Sequence, residues 1–312
     1  MGRLSHTGVA QLLARAQRRL QRARLHYGHG TDNARDDAAA LVWHALRLPL
    51  DPSAAQLARA ATPRQLATLD ALLQRRIRER VPAVYLTGRC WFAGLEMHVD
   101  ERVLIPRSPL AELIEQRFAP WIDARRVRHV LDLGTGSGCI AIACAKFLPR
   151  ARVDALDISA AALEVAAINI RRHRLKGRVR TVLSDHFRAL GPESYDIIVS
   201  NPPYVGRREM QGLPAEYRHE PQGALAAGAD GLDSVRVLLA EGARRLRPGG
   251  ILVVEVGNTE RTVQRSFPRL PFTWLEFERG GGGVFVLTRE QLRAGLSCGV
   301  QGSTRLRGDV RQ

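Results

Sequence analysis

Apolar residues recur at helical spacing through the first 80 residues of the chain. Val9, Leu12, Leu13, Ala16 and Leu20 recur at helical spacing, and arginines occupy the opposite face, which predicts an amphipathic helix. Turn-forming dipeptides divide the Ala-, Leu-, Arg- and Gln-rich segments that follow: His29-Gly30, Leu48-Pro49 and Thr62-Pro63. We therefore predict a small all-helical N-terminal domain over residues 1–83.

The pattern changes beyond residue 83. Residues 84–106 carry Tyr, Trp, Phe, Met and Val around a Phe92-Ala93-Gly94 turn, which predicts a β-hairpin connecting two domains. Residues 292–312 are rich in Gly, Arg and Ser without any period, and we predict a disordered tail there.

Between these segments, residues 107–291 alternate short apolar runs with helical patterns such as 159–172 and 232–246. The predicted strands are 128–133, 152–157, 179–183, 195–200, 250–256, 272–278 and 283–288. Continuous apolar strands alternating with helices predict an α/β fold with a seven-stranded, mostly parallel sheet covered on both faces. The last two strands have no helix between them, which predicts an antiparallel edge.

A glycine-rich turn follows the strand at 128–133. The residues Asp132-Leu133-Gly134-Thr135-Gly136-Ser137-Gly138 lead into an apolar helix. Glycines allow a ligand to approach the backbone closely, and the helix that follows offers N–H groups without partners. Asp157 ends the next strand, where an acceptor for ribose hydroxyls is expected. The pair predicts a site for a nucleoside-containing cofactor, without choosing between a nicotinamide and S-adenosylmethionine.

A second motif, Asn201-Pro202-Pro203-Tyr204, follows the predicted strand 195–200 directly. Ligands bind at this end of parallel strands. The prolines stiffen the backbone, so an NH₂ group on a planar carbon can donate to the Asn201 side-chain oxygen and to the Pro202 carbonyl. Tyr204 can pack on the plane of that group. Two oriented acceptors favour the tetrahedral nitrogen of an alkylation transition state over the planar ground state.

These motifs resemble those of the class I S-adenosylmethionine-dependent methyltransferases that act on amino groups attached to sp² carbon. Within that class the chain resembles the HemK-type protein glutamine N5-methyltransferases, from its N-terminal helices to about residue 290. The resemblance implies the class I methyltransferase fold, S-adenosyl-L-methionine as cofactor, and substrate recognition by the helical domain. It implies these cofactor-binding residues: Asp132, Gly134, Thr135, Gly136, Gly138, Asp157, Ile158, Asp185, His186 and Asn201. It also implies that Asn201, Pro202 and Tyr204 are catalytic and that Pro203 helps them to bind the glutamine amide.

The segment Ile105-Pro106-Arg107-Ser108-Pro109-Leu110-Ala111-Glu112 bears on the branch of the family. Release-factor methyltransferases typically carry P-R-P-[DE]-T-E here, whereas this chain has Ser108 in place of the second proline and its glutamate one place later. Together with Trp91-Phe92-Ala93-Gly94-Leu95 before it and Tyr217-Arg218-His219-Glu220-Pro221 after the Asn201 motif, this segment resembles the branch that methylates a glutamine of large-subunit ribosomal protein three. By this resemblance that protein is the expected partner, and Arg107 is a candidate substrate-binding residue. Methylation of release factors, or of an amino group on an rRNA or DNA base, stays open.

Composition adds a basic character. The formal net charge is +16, and all but two of the 47 basic residues are arginines, which reflects genome composition as much as an anionic partner. The positive charge would favour binding close to rRNA in an assembling subunit. The four cysteines lack metal-ligand spacing, so we expect no metal and a reducing, cytoplasmic location without membrane spans. A non-catalytic RNA-binding protein with a vestigial pocket is the alternative outside the enzymes.

Overall fold

The computed structural model describes residues 8–297 and divides the chain into two compact units. The first unit extends to Arg107 and includes Gly212–Gln222; the second contains Ser108–Gln211 and the chain from Gly223 onward. The hairpin therefore belongs to the first unit. The eleven-residue segment Gly212–Gln222 also belongs to the first unit, although it lies within 107–291, which was predicted as one continuous domain.

Five α-helices, a π-helical turn and a hairpin build the first unit. Its elements are α1 (Val9–Arg22), α2 (Ala34–Leu46), α3 (Ala54–Ala58), α4 (Pro63–Gln74), the π-helical turn Arg75–Glu79, α5 (Ala83–Thr87), β1 (Arg89–Phe92) and β2 (Leu95–His98).

The predicted amphipathic helix is confirmed, since α1 buries Val9, Leu12, Ala16 and Leu20. The helix starts follow from local chemistry. The Asn33 side chain accepts two backbone N–H groups at the start of α2, and Thr62 forms a capping box before Pro63 at the start of α4. The hairpin turns through Ala93 and Gly94, both at positive φ (49° and 70°), as a two-residue hairpin turn requires.

A buried ionic cluster binds Gly212–Gln222 to the helices of the first unit. The Arg76 side chain is 2% exposed and donates to Asp37 at 2.6 Å and to Glu216 at 3.4 Å. It also donates to the His26 carbonyl at 2.8 Å, and the His26 N–H donates to Glu216 at 3.0 Å. Burial raises the pKa of Asp37, while Arg76 opposes that shift. Sequence periodicity gives no sign of such partners, because 140 residues separate Arg76 from Glu216.

A seven-stranded sheet forms the centre of the second unit. Its strands are β3 (His129–Leu133), β4 (Arg152–Asp157), β5 (Val179–Leu183), β6 (Tyr195–Ser200), β7 (Leu246–Glu255), β8 (Thr273–Leu275) and β9 (Val284–Thr288). The order is β5-β4-β3-β6-β7-β9-β8; β9 is antiparallel to β7 and to β8, and the other pairs are parallel. The predicted mostly parallel sheet with an antiparallel edge is confirmed.

Helices cover both faces of this sheet. The helices of this unit are α6 (Leu110–Glu115), α7 (Cys139–Phe147), α8 (Ala160–Arg172), α9 (Arg207–Met210), α10 (Asp233–Arg245), α11 (Glu260–Ser266) and α12 (Arg289–Ser297), of which α7, α8, α10 and α12 pack on its strands. Alternate strand residues such as Leu131 and Ile198 pack with Leu238 of α10 and Leu292 of α12. The intervening residues, such as Val130 and Ile197, are also buried, which explains the continuous apolar runs of the strands.

Several boundaries differ from the predictions. The strand predicted over 250–256 begins at Leu246, and helix α5 occupies the start of the range predicted as a hairpin. The strand predicted over 272–278 is only the three residues of β8. The tail predicted to be disordered from residue 292 is wrong for 292–297, because α12 continues to Ser297 and Leu292 is fully buried. The Gly- and Ser-rich composition of the tail gave no indication that Leu292 is part of the core. Residues 298–312 lie outside the described part of the chain.

Cys90, Cys139 and Cys144 are buried and in the thiol form, and burial raises the pKa of Cys90 to about 12. Cys298 lies outside the described residues. Across residues 8–297, the structure contains no helix long and apolar enough to cross a bilayer.

Truncating Arg76 tests the buried cluster. Arg76→Ala leaves the Asp37 and Glu216 carboxylates buried without their cation, so we expect a loss of ~3–5 kcal/mol in the free energy of unfolding. Arg75→Ala is the matched control: Arg75 is the neighbouring residue, with a half-exposed ion pair to Glu79, and its loss is expected to cost less than ~0.5 kcal/mol. Urea unfolding measures both variants, and equal losses would contradict the assigned role.

Candidate active site

The glycine turn between β3 and α7 is built from three residues at positive φ: Gly134 (76°), Gly136 (53°) and Gly138 (80°). The N–H groups of Gly134 and Thr135 donate to the Leu156 carbonyl of β4 at 2.9 and 2.8 Å. A Cβ on Gly138 would lie 3.1 Å from the Ala166 Cβ, so this glycine lets α8 pack closely. A Cβ on Gly136 meets nothing within 4 Å, which leaves the middle of the turn open to a ligand.

Asp132 supports the turn from beneath. It is fully buried, and its Oδ2 accepts the Thr135 hydroxyl at 2.6 Å and the Ala141 N–H at 3.0 Å. Burial raises the pKa of Asp132 to about 7. Its Oδ1 is buried and has no hydrogen-bond partner among the described residues. The carboxyl group thus joins the turn to the first residues of α7.

Asp157 lies at the end of β4 and faces the same turn. Its Oδ2 accepts the Gly136 N–H at 2.8 Å, and its Oδ1 accepts the Ser159 N–H at 2.9 Å. Burial raises the pKa of Asp157. Each carboxylate oxygen keeps a further lone pair, so the side chain can bind the turn and accept a ligand hydroxyl at the same time.

An apolar platform lies next to Asp157. Ile158 is 71% exposed and Leu183 is 56% exposed, and Leu183 is the register partner of Asp157 on β5. Large aliphatic side chains at the ends of two neighbouring strands suit the face of a flat base. Ile158 was predicted from the family resemblance, whereas Leu183 was missed. Its apolar type at the carboxyl end of a strand next to β4 is the signal that would have identified it.

The predicted pair Asp185 and His186 lies just beyond β5. The carboxylate of Asp185 contacts His186 Nδ1 at 2.7 Å, and this hydrogen bond lowers the pKa of Asp185. His186 Nε2 lies 3.2 Å from the Ser234 hydroxyl. The Ser184 N–H donates to the Asp157 carbonyl at 2.9 Å, which connects this loop to the end of β4.

The Asn201 motif lies beside the glycine turn, because β6 is the neighbour of β3. Leu133 and Ser200 are register partners, and the Ser200 hydroxyl donates to the Leu133 carbonyl at 2.7 Å. A Cβ on Gly134 would lie 3.9 Å from the Asn201 carbonyl oxygen. The Asn201 side-chain oxygen is buried and accepts no hydrogen bond from the described residues. Such an acceptor is rare in proteins, and it marks the place where a ligand N–H is expected.

Tyr204 is held on two sides. A Cβ on Gly257 would lie 2.5 Å from the Tyr204 Cε2, so only glycine allows the ring to rest there. The Tyr204 hydroxyl donates to Glu255 Oε1 at 3.4 Å, and Glu255 Oε2 accepts the Ser108 hydroxyl. Pro202 is buried and Pro203 half-buried. Glu255 was not predicted as a site residue, because in the sequence it is only a polar position near the end of the apolar strand predicted over 250–256.

Arg107 belongs to the first unit. Its guanidinium donates to both carboxylate oxygens of Glu220, at 2.5 and 2.8 Å, and lies 5.5 Å from the centre of the Tyr217 ring. Glu220 also accepts the Ile105 N–H at 3.3 Å. These contacts bind Gly212–Gln222 to the end of the hairpin segment. Substrate binding by Arg107 stays a prediction. No cluster of metal-ligating side chains occurs within residues 8–297.

The strand order, the glycine turn after β3 and the asparagine motif after β6 define a class I methyltransferase. Two family models agree with this assignment: "Methyltransferase small domain" matches residues 115–216, and "PrmC N-terminal domain" matches residues 11–88. The chain belongs to the family of ribosomal protein uL3 glutamine methyltransferases, since it is 46% identical to such a protein from Neisseria meningitidis serogroup B. That alignment covers 92% of this chain and 94% of the relative.

A second relative of the same name, from Bordetella pertussis, is also 46% identical, over 91% of this chain and 96% of its own length. Among solved structures, a methyltransferase from Pyrococcus furiosus is 20% identical with a TM-score of 0.45, over 63% of this chain and 89% of that one.

The raised pKa of Asp132 predicts a pH-dependent stability. Between the pKa of the unfolded chain, near 4, and about 7, the folded protein keeps a proton that the unfolded chain has lost, so stability falls as pH rises through this range. Asp132→Asn keeps an acceptor for Thr135 and Ala141 but does not titrate. We expect the melting temperature of the wild type to decrease from pH 5 to pH 8 relative to that of Asp132→Asn. Parallel profiles without cofactor would contradict this.

Proposed function

We propose that this chain transfers a methyl group from S-adenosyl-L-methionine to the side-chain amide nitrogen of a glutamine in ribosomal protein uL3. Family membership supports the reaction and the substrate, because the relatives carry that activity in their names. The observation that carries the proposal is the buried side-chain oxygen of Asn201, which accepts no hydrogen bond from the described residues.

The chemistry of a glutamine amide explains why such an acceptor is useful. The nitrogen lone pair is delocalised into the carbonyl group, so a planar amide is a poor nucleophile. The Asn201 side-chain oxygen and the Pro202 carbonyl would each accept one N–H hydrogen and favour the geometry of the alkylated nitrogen. The nitrogen proton becomes acidic upon alkylation and would pass to water, while the S–CH₃ bond breaks and S-adenosyl-L-homocysteine leaves, so no strong general base is required.

The residues around the glycine turn fit the proposed cofactor. S-adenosyl-L-methionine supplies an electrophilic methyl group on a sulfonium. The open backbone at Gly136 accommodates a ligand, the free lone pairs of Asp157 accept ribose hydroxyls, and Ile158 offers an apolar face to adenine. Asp185, fixed by His186, would accept from the base edge. Asp132 and Thr135 would act by holding the turn in shape.

A three-substrate assay tests the proposed function. The protein is incubated with methyl-labelled cofactor and, separately, with uL3, a peptide release factor and rRNA, and the product is located by mass spectrometry. We expect label on one glutamine of uL3. Label only on the release factor would move the chain to another protein substrate, and label only on rRNA would overturn the proposed reaction.

Asn201→Ala tests the oriented acceptor. We expect turnover to fall by roughly 10²–10³-fold, as when an oriented hydrogen-bonding group is removed from a transition state, while the Kd of the cofactor changes less than about threefold. Asn258→Ala is the matched control, because Asn258 is an exposed asparagine of the same unit. Steady-state kinetics and calorimetric titration separate the two effects, and an equal loss of turnover and cofactor affinity would contradict the role.

Asp157→Ala tests the cofactor site. Loss of a charged acceptor for ribose hydroxyls is expected to raise the Kd of S-adenosyl-L-methionine by roughly 10–100-fold. Saturating cofactor is expected to recover most of the turnover, which distinguishes this variant from Asn201→Ala. Unchanged affinity in calorimetric titration would remove Asp157 from the cofactor site.

A further inference from the structure

Glu255 is a buried carboxyl group that none of the sequence motifs contains. It is the last residue of β7 and is 5% exposed. Val254 is the register partner of Ser200, so Glu255 lies level with the first residue of the Asn201 motif on the neighbouring strand. A buried carboxyl group is unfavourable unless hydrogen bonds compensate for its desolvation. Here two hydroxyl groups do so, one from Tyr204 and one from Ser108.

The contact with Glu255 acts on the Tyr204 ring in addition to its packing. Gly257 fixes the position of the ring face, and a Cβ on Gly231 would lie 2.4 Å from the Tyr204 carbonyl oxygen, so the backbone is closely packed too. The hydrogen bond to Glu255 fixes the tip of the ring. Ring and backbone are therefore both held in the segment that begins with Asn201.

Ser108 in turn holds Glu255. Its hydroxyl accepts the Leu110 N–H at 3.1 Å at the start of α6 and donates to Glu255. The serine stands where the release-factor pattern has a proline, which has no hydroxyl to donate. The departure noted in the sequence thus supplies a hydrogen bond to the Asn201 motif through Glu255.

We propose that Glu255 is a positioning residue, which, anchored by Ser108, holds the Tyr204 ring in the orientation that packs on the acceptor amide. The proposal rests on the proposed function, since it assigns the amide as the group that Tyr204 contacts. This role requires that the side chain at position 255 forms hydrogen bonds with both Ser108 and Tyr204. A glutamine at position 255 can meet it, because its oxygen accepts from Ser108 and its amide donates to the Tyr204 oxygen.

The kinetic test uses Glu255→Ala, Glu255→Gln and the pair with Tyr204→Phe. We expect Glu255→Ala to lower kcat by roughly 10–100-fold with KM and cofactor Kd within about threefold, and Glu255→Gln to recover most of that loss. In a Tyr204→Phe background, which already lacks the hydroxyl, Glu255→Ala is expected to add less than about a further threefold. Ser108→Ala should reproduce part of the Glu255→Ala loss. Glu276→Ala, at an exposed glutamate of the same unit, is the control.

Two kinetic outcomes overturn the proposal. If Glu255→Gln loses as much as Glu255→Ala, the charge matters rather than the hydrogen bonds. If the Glu255→Ala and Tyr204→Phe losses multiply independently, Glu255 does not act through the tyrosine hydroxyl.

NMR of the tyrosine rings tests the positioning role of Glu255 independently of the substrate. The chain has five tyrosines, so ring-labelled tyrosine NMR resolves Tyr204 by comparison with Tyr204→Phe. We expect its ring resonances to shift or to average faster in Glu255→Ala and to return in Glu255→Gln. Unchanged resonances in Glu255→Ala would overturn the positioning role. Failure of the wild type to label uL3 in the three-substrate assay would instead overturn the proposed function.

Discussion

The parallel register of β4, β3 and β6 is the constraint on which the site depends. Because Leu133 is paired with both Leu156 and Ser200, the three strands end at the same level. The glycine turn, Asp157 and Asn201 are the residues that follow or end these strands, so the sheet brings them together without long loops. The hydrogen bonds from the turn to the Leu156 carbonyl preserve that level on one side, and the Ser200 hydroxyl preserves it on the other.

Buried carboxyl groups then fix what the sheet has brought together. Asp132 holds the turn against α7, and Glu255 holds the ring of Tyr204. Each such group costs desolvation, and that cost is offset only when its partners are in place. The raised pKa of Asp132 records this cost. Such buried groups lower the stability of the folded protein, and they keep the acceptors of the site oriented before a substrate arrives.

The sequence could predict those features whose signal lies in residues that are close together along the chain. The turn from Gly134 to Gly138, Asp157 and the Asn201 motif are contiguous with apolar strands, so their types and order indicated both fold and site. Glu255 and the Arg76–Glu216 pair depend on contacts between residues 51 and 140 positions apart, which no periodicity encodes. The role of Leu183 could be recognised only from the strand order, because that order places Leu183 next to Asp157. The helix α12 could not be predicted because it depends on packing against distant elements, as the burial of Leu292 shows.

Some arginines of the chain form buried ion pairs, whereas others face solvent. Arg76 and Arg107 are neutralised by Asp37, Glu216 and Glu220 inside the first unit, so their charge serves folding. Exposed arginines on α1, such as Arg15, Arg18 and Arg22, face solvent instead. Only charges of this second kind act on a polyanion at a distance, and salt screens them within about 8 Å at physiological ionic strength. The formal charge of +16 already subtracts the carboxylates of these pairs, so the positive excess that an rRNA surface would meet lies on other arginines, such as those exposed on α1.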